Sequence, residues 1–197
     1  GGGWSWQPDG AIWDGELFAM AVMPSFQNIT TFRTNNTGED LSSSSTDFFA
    51  SKRETGLSQY VGVGLPGVPS LSDKRTLFNR SFLVSTNNLW KLKNGEFKAN
   101  IDYSFNRVTA QATNITTYFL EGGNRVITEQ RDGTEHTHSL SGKFIYELNQ
   151  KTAFINNTLQ ANIDWNNVSL RTNGTLPNTQ SVELPDYYIT NKFKLIK

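Results

Sequence analysis

Two histidines stand two residues apart in Glu135-His136-Thr137-His138. On a strand that spacing puts both imidazoles on one face, where neutral ring nitrogens can ligate a metal. No third ligand follows nearby, and the plainer reading is a solvated stretch. Asp102 and Asp164 are the carboxylates an acid/base pair would need, but each falls on the polar side of an alternating run, where a polar surface already accounts for it. Gly62, Gly64 and Gly67 resemble a phosphate loop only superficially, since no helix follows and the Lys-Ser/Thr ending is missing. Trp4, Trp6 and Trp13 could stack on sugar rings, and amphipathic aromatics are equally expected at a membrane interface or in a small core. The sequence therefore assigns no catalytic, cofactor-binding or metal-ligating residue. Neither enzyme activity nor a cofactor is expected.

Composition narrows the classes further. The absence of cysteine removes disulfide frameworks, thiolate catalysis and zinc sites built on sulfur. Lys plus Arg and Asp plus Glu both number 18, so there is no net positive field to neutralise phosphates, and nucleic acid is not an expected partner. Seven Asn-x-Ser/Thr sequons begin at Asn28, Asn35, Asn79, Asn114, Asn156, Asn167 and Asn173. Several fall in the middle of expected strands, where a glycan would block pairing, so they read as a by-product of composition. The longest apolar run, residues 17–23, is far short of the roughly 20 residues of a membrane-spanning helix. Any membrane role must run through strands. No signal peptide opens the chain, and Gly1-Gly2-Gly3 reads as the scar of a cut.

The elements that would position these residues are strands. Thr, Asn, Ser and Phe are abundant while the helix formers Ala and Glu are sparse. Glu96-Phe97-Lys98-Ala99-Asn100-Ile101-Asp102-Tyr103-Ser104-Phe105 alternates polar and apolar without exception. Leu140, Gly142, Phe144, Tyr146 and Leu148 repeat the pattern, interrupted by Ile145 on the polar side. So do Leu159, Ala161, Ile163 and Trp165, and finally Tyr187, Ile189, Phe193 and Leu195. Polar interruptions at 92–95, 121–124 and 149–152 read as turns. The first 75 residues carry weaker signals, and short strands are expected at 16–23, 28–34 and 59–64.

Strict alternation is confined to the strand ends nearest the turns at 92–95 and 149–152. Farther out, the stretches through Thr109, Gln111 and Thr113 and through Glu129-Gln130-Arg131-Asp132 are polar on both faces or irregular. A sheet packed on a soluble core should alternate along its whole length. A band of roughly 9–11 alternating residues that continues into a polar extension matches a transmembrane barrel strand instead. The short turns would face the periplasm, while the tip near Gly122 and the stretch 167–185 would project outside the cell. Trp90, Tyr103, Phe105, Tyr146, Trp165 and Tyr187 fall where interface girdles would sit.

Particular segments also resemble a known family. Pro24-Ser25-Phe26-Gln27-Asn28-Ile29, followed by Thr34-Asn35-Asn36-Thr37-Gly38-Glu39-Asp40-Leu41, is similar to the segment just after the plug domain of Bacteroidetes-type TonB-dependent receptors. Leu65-Pro66-Gly67-Val68-Pro69, Leu77-Phe78-Asn79-Arg80-Ser81 and Asn88-Leu89-Trp90-Lys91-Leu92-Lys93 resemble that family's first barrel strands. Tyr146-Glu147-Leu148-Asn149 with Phe154-Ile155-Asn156-Asn157-Thr158-Leu159 resembles its next periplasmic turn. The resemblance implies a plugged barrel of about 22 strands. It also implies import of a nutrient ligand (a glycan, a peptide or a metal chelate), energised by the TonB complex through a part of the protein absent here.

The expectation is thus an all-β chain: an antiparallel meander of long hairpins forming part of a transmembrane β-barrel in the bacterial outer membrane. Residues 1–75 would be a post-plug segment with short first strands and loops, and residues 76–197 consecutive barrel hairpins. Its partners would be outer-membrane lipid, the rest of the barrel and plug, and the ligand. The alternative is a soluble β-sandwich, a carbohydrate-binding or adhesin module.

Overall fold

The computed structural model describes residues 2–7, 10–39, 41, 65–66 and 78–197. They form one antiparallel sheet of eight strands: β1 (Gly2–Gln7), β2 (Gly10–Val22), β3 (Phe26–Asn35), β4 (Phe78–Leu92), β5 (Gly95–Tyr118), β6 (Arg125–Gln150), β7 (Ala153–Asn173) and β8 (Asn178–Ile196). Spatial order equals sequence order, so every strand pairs with its neighbours along the chain. The sheet is open, with β1 and β8 as its edges, and is not closed into a barrel.

Turn chemistry explains the meander. Met23 and Phe26 exchange backbone hydrogen bonds around Pro24-Ser25, Leu92 pairs with Gly95 around Lys93-Asn94, and Gln150 pairs with Ala153 around Lys151-Thr152. These two-residue turns all lie at one end of the sheet, here the lower end. A loop that short leaves one register available to its hairpin. Gly95 is demanded there by space, because a Cβ at that position would lie 2.0 Å from the carbonyl oxygen of Glu147. The upper end carries the turn at Glu121-Gly122, a connection through residues 174–177, and the long connection between β3 and β4.

The turns expected at 92–95, 121–124 and 149–152 are all present. Two expectations change. β2 begins six residues before the expected 16–23 and pairs with β1, so Trp4 stands opposite Trp13 in a hairpin the sequence did not announce. The stretch 167–185 is not one long projection: β7 runs through Asn173 and β8 starts at Asn178. Pro185 sits in β8, an edge of this sheet, where a missing N–H costs no ladder bond on the open side. The strand expected at 59–64 lies outside the described residues.

Candidate functional site

Registers fix which side chains share a face. Phe97, Ala99, Ile101, Tyr103, Phe144, Tyr146, Ile163 and Trp165, expected to share one, do so. On this apolar face, one row runs straight across Phe26, Trp90, Phe97, Tyr146, Asn157 and Phe193. The first three rings are tilted against one another, with centroids 5.4 Å apart for Phe26 and Trp90 and 5.4 Å for Trp90 and Phe97. A second row crosses Phe82, Phe105, His138, Trp165 and Pro185, with Phe105 4.8 Å from His138 and 5.3 Å from Phe82. Tyr103 and Tyr187 stand just beneath it, in one row through Leu140 and Ile163.

From Phe97 to Phe105 is eight residues, or roughly 27 Å of strand at ~3.4 Å per residue. At the ~35–45° tilt of membrane strands that is a height of about 20 Å, close to the ~25 Å apolar band between aromatic girdles. Ile101, Gly142, Ala161 and Ile189 fill the row midway. Polar groups do occur in the band: on β3 and β4 the Asn28 amide donates to Thr86 Oγ1 (3.1 Å) and Asn88 Oδ1 (2.7 Å) and the Thr30 and Thr86 hydroxyls lie 3.0 Å apart, while Asn191 stands opposite Leu159 and Asn157 has an Oδ1 with no partner among the described residues.

The opposite face inverts ordinary burial. Ser85, Asn87, Asn100, Asp102, Ser104, Ser139, Lys143 and Asn162 are all buried, whereas Ile101 between two of them is 39% exposed. A face of a single sheet can bury its side chains only where the sheet curls around them or other chain covers them. The polar groups are knitted together. Asn100 donates to Asn87 Oδ1 (2.8 Å), and Ser141 donates to Asp102 Oδ2 (3.4 Å). Asn79 donates to Ser81 Oγ (2.9 Å) and accepts from the Gly38 backbone (2.7 Å). The sequons at Asn35 and Asn79 are thus packed asparagines. Exceptions are Asn35 Nδ2, Asp186 Oδ2 and above all Asn162, which is buried at 2% exposure and whose amide finds no hydrogen-bond partner among the described residues at either end.

Higher on this polar face sits a small apolar patch of Leu83, Val108, Ala110 and Val168. Gly133, opposite Ala110, leaves the space into which Leu65 and Pro66 pack, since a Cβ there would lie 2.8 Å from each. Part of the β3–β4 connection therefore folds back over the polar face.

The chemistry-bearing residues are dispersed over both faces. Asp102 and Asp164 share the polar face but stand two strands apart, on β5 and β7. His136 and His138 share the apolar face, and the Tyr103 hydroxyl lies 2.8 Å from His138 Nδ1. They border a pocket of about 320 Å³ together with Trp165, Asn167, Glu183 and Pro185. Burial pushes the His136 pKa down, and the neighbouring Arg107 and His138 push it further. Among the described residues no group of three His, Cys, Asp or Glu stands close enough to hold a metal. The side chains of Trp4 and Trp6, and Gly62, Gly64 and Gly67, lie outside the described residues. Trp13 supports Arg80, whose guanidinium carbon is 5.6 Å from the ring centroid.

No family model, curated protein or solved structure matches the chain.

One feature of the apolar face escaped sequence reasoning. Arg80 stands directly opposite Arg107, which stands opposite His136. The signal was available, because the turn at Lys93-Asn94 sets the register that pairs the two arginines.

Proposed function

We propose that the sheet is a wall section of a transmembrane β-barrel in the bacterial outer membrane, its apolar face toward lipid and its polar face toward the lumen. The observation that carries this reading is the inverted band: an exposed apolar face framed by two aromatic rows, backed by a buried, hydrogen-bonded polar face. Lipid tails favour such a face and water does not. The short turns would face the periplasm. Strands of up to 26 residues, more than twice the roughly 9–11 of a membrane strand, would carry the upper end well beyond the surface. The outward Asn28, Thr30, Thr86 and Asn88 are tolerable in hydrocarbon because each has a partner.

Within that class we assign the chain to active nutrient import by a TonB-dependent receptor, on the resemblance of residues 24–29, 34–41, 65–69, 77–81, 88–93, 146–149 and 154–159 to that family's post-plug segment, first barrel strands and next periplasmic turn. The wall would then serve transport, with the buried amides and hydroxyls of the polar face lining the path of a glycan, peptide or metal chelate. The plug and the TonB complex would act through other parts of the protein.

Gel migration of the complete protein tests the barrel. A barrel purified in detergent migrates faster before boiling than after. A protein soluble without detergent, with migration unchanged by boiling, would return the sheet to the sandwich alternative.

A further inference from the structure

One step above the upper aromatic row, the apolar face carries Arg80, Arg107, His136, Asn167 and Glu183 in direct cross-strand register. Like charges directly opposite on adjacent strands repel. Both arginines are exposed, and among the described residues neither has an ion pair with a carboxylate. Glu183 lies at the far end of the row, three strands from Arg107, and accepts from Asn167 instead (3.5 Å). The row at the lower end, beyond Phe97 and Tyr146, reads Leu92, Gly95, Leu148, Ile155 and Leu195 and carries no charge. Repulsion has thus been placed at one rim of the band only.

We propose that Arg80 and Arg107 together bind the phosphate of an outer-leaflet lipid headgroup. This rests on the barrel reading, which makes the upper rim the outer one. Their backbones stand directly opposite, so the two guanidiniums can turn N–H donors to the oxygens of one phosphate between them, and a shared anion turns their repulsion into a site. The height fits: the row stands two residues, about 7 Å of strand and about 5 Å of height at the same tilt, above Phe82 and Phe105, as a headgroup phosphate stands above the start of its acyl chains. Trp13 under the Arg80 guanidinium holds that side chain along the surface. The pocket beyond His136 has room for the adjoining sugar or glycerol, while Glu183 on its far wall keeps the phosphate on the arginine side.

The test uses the complete protein in detergent with three probes: lipid A carrying its phosphates, the same lipid stripped of phosphate, and inorganic phosphate. Native mass spectrometry should show retention of the phosphorylated lipid alone. Arg107→Gln and Arg80→Gln should each weaken that retention about tenfold or more, and the double variant should abolish it. Phenylglyoxal labelling of the unsubstituted protein should show both arginines protected by the phosphorylated lipid. That arm decides the matter if the double variant fails to fold. Equal retention of stripped lipid, unchanged retention in a folded double variant, or no protection of the arginines would overturn the proposal. Protection by inorganic phosphate as strong as by lipid would overturn the lipid as the source. The barrel reading is tested apart from this, by charge placed at Ile101 and Ser141. A protein that passes there and fails here loses only the lipid site.

Discussion

Between the two aromatic rows, the same strands present two faces whose burial runs against their chemistry. Asp102 is 6% exposed, and its neighbour Ile101 is 39% exposed. In water the reverse is favourable, since apolar area gains about 25 cal/mol per Å² on burial and a buried carboxylate must find partners. Asp102 has them in Ser141 and Asn100, the latter 3.5 Å away. On the proposed reading the difference between the faces is a difference of solvent, hydrocarbon outside and a wet lumen inside. What the comparison teaches is that alternation alone does not say which face is the interior. Exposure and hydrogen bonding do.

The comparison breaks most directly under charge. Ile101→Arg would place a guanidinium near the bilayer midplane and is expected to cost about 2–4 kcal/mol. Ser141→Arg, on the other face beside the Asp102 carboxylate, should cost under about 1 kcal/mol. Folding free energies of the complete protein in lipid vesicles measure both, and equal costs would end the distinction between the faces. Gly95→Ala tests the register that sorts side chains to those faces. The new Cβ would collide with the Glu147 carbonyl, and about 1–3 kcal/mol should be lost in the same assay. Tyr187, 76% exposed on the apolar face near the upper rim, probes depth: Tyr187→Arg should cost only about 0–1 kcal/mol. A cost matching that of Ile101→Arg would mean the rim is not an interface.

The smallest effect concerns His136, above the band. Its pKa is held below the ordinary 6.5 by burial first and then by Arg107 and His138. The folded state therefore favours the neutral ring. Its stability contribution is present above pH 6.5 and is lost as pH falls from there through the folded pKa. A histidine titration followed by NMR should place His136 below 6.5, and Arg107→Gln should move it upward. No movement would separate the two side chains that the register sets opposite each other.

Much of the lower half of the sheet was legible because short turns and strict alternation constrain the same residues. Leu92-Lys93-Asn94-Gly95 fixes one register, and Phe97 through Phe105 then sorts itself between the faces. The upper half was less so. Past Arg107 and Gly133 the strands have solvent or packed connection on both sides, so no period survives to mark them. β1 and the start of β2 were invisible for a related reason: Gly10-Ala11-Ile12 carries no alternation, and its pairing depends on a partner strand. The two arginines were legible only through the register, as a relation between strands, and not within either strand. The patch of Leu83, Val108 and Val168 under Leu65-Pro66 depends on a long connection folding back, which no local pattern encodes.

The unequal connections at the two ends also determine where this chain can change length. Side chains alternate with period two, so one residue added between Leu92 and Gly95 must either bulge out of the ladder or send everything beyond it to the opposite face. Isoleucines would exchange places with asparagines over half the sheet. A residue added to the six-residue connection between Tyr118 and Arg125 lies outside the ladder, and the entropy of a longer loop grows only slowly with its length. Variation can therefore accumulate at the upper end while the lower end stays counted to the residue, so one end is free to acquire new surface and the other preserves the arithmetic that keeps the faces apart.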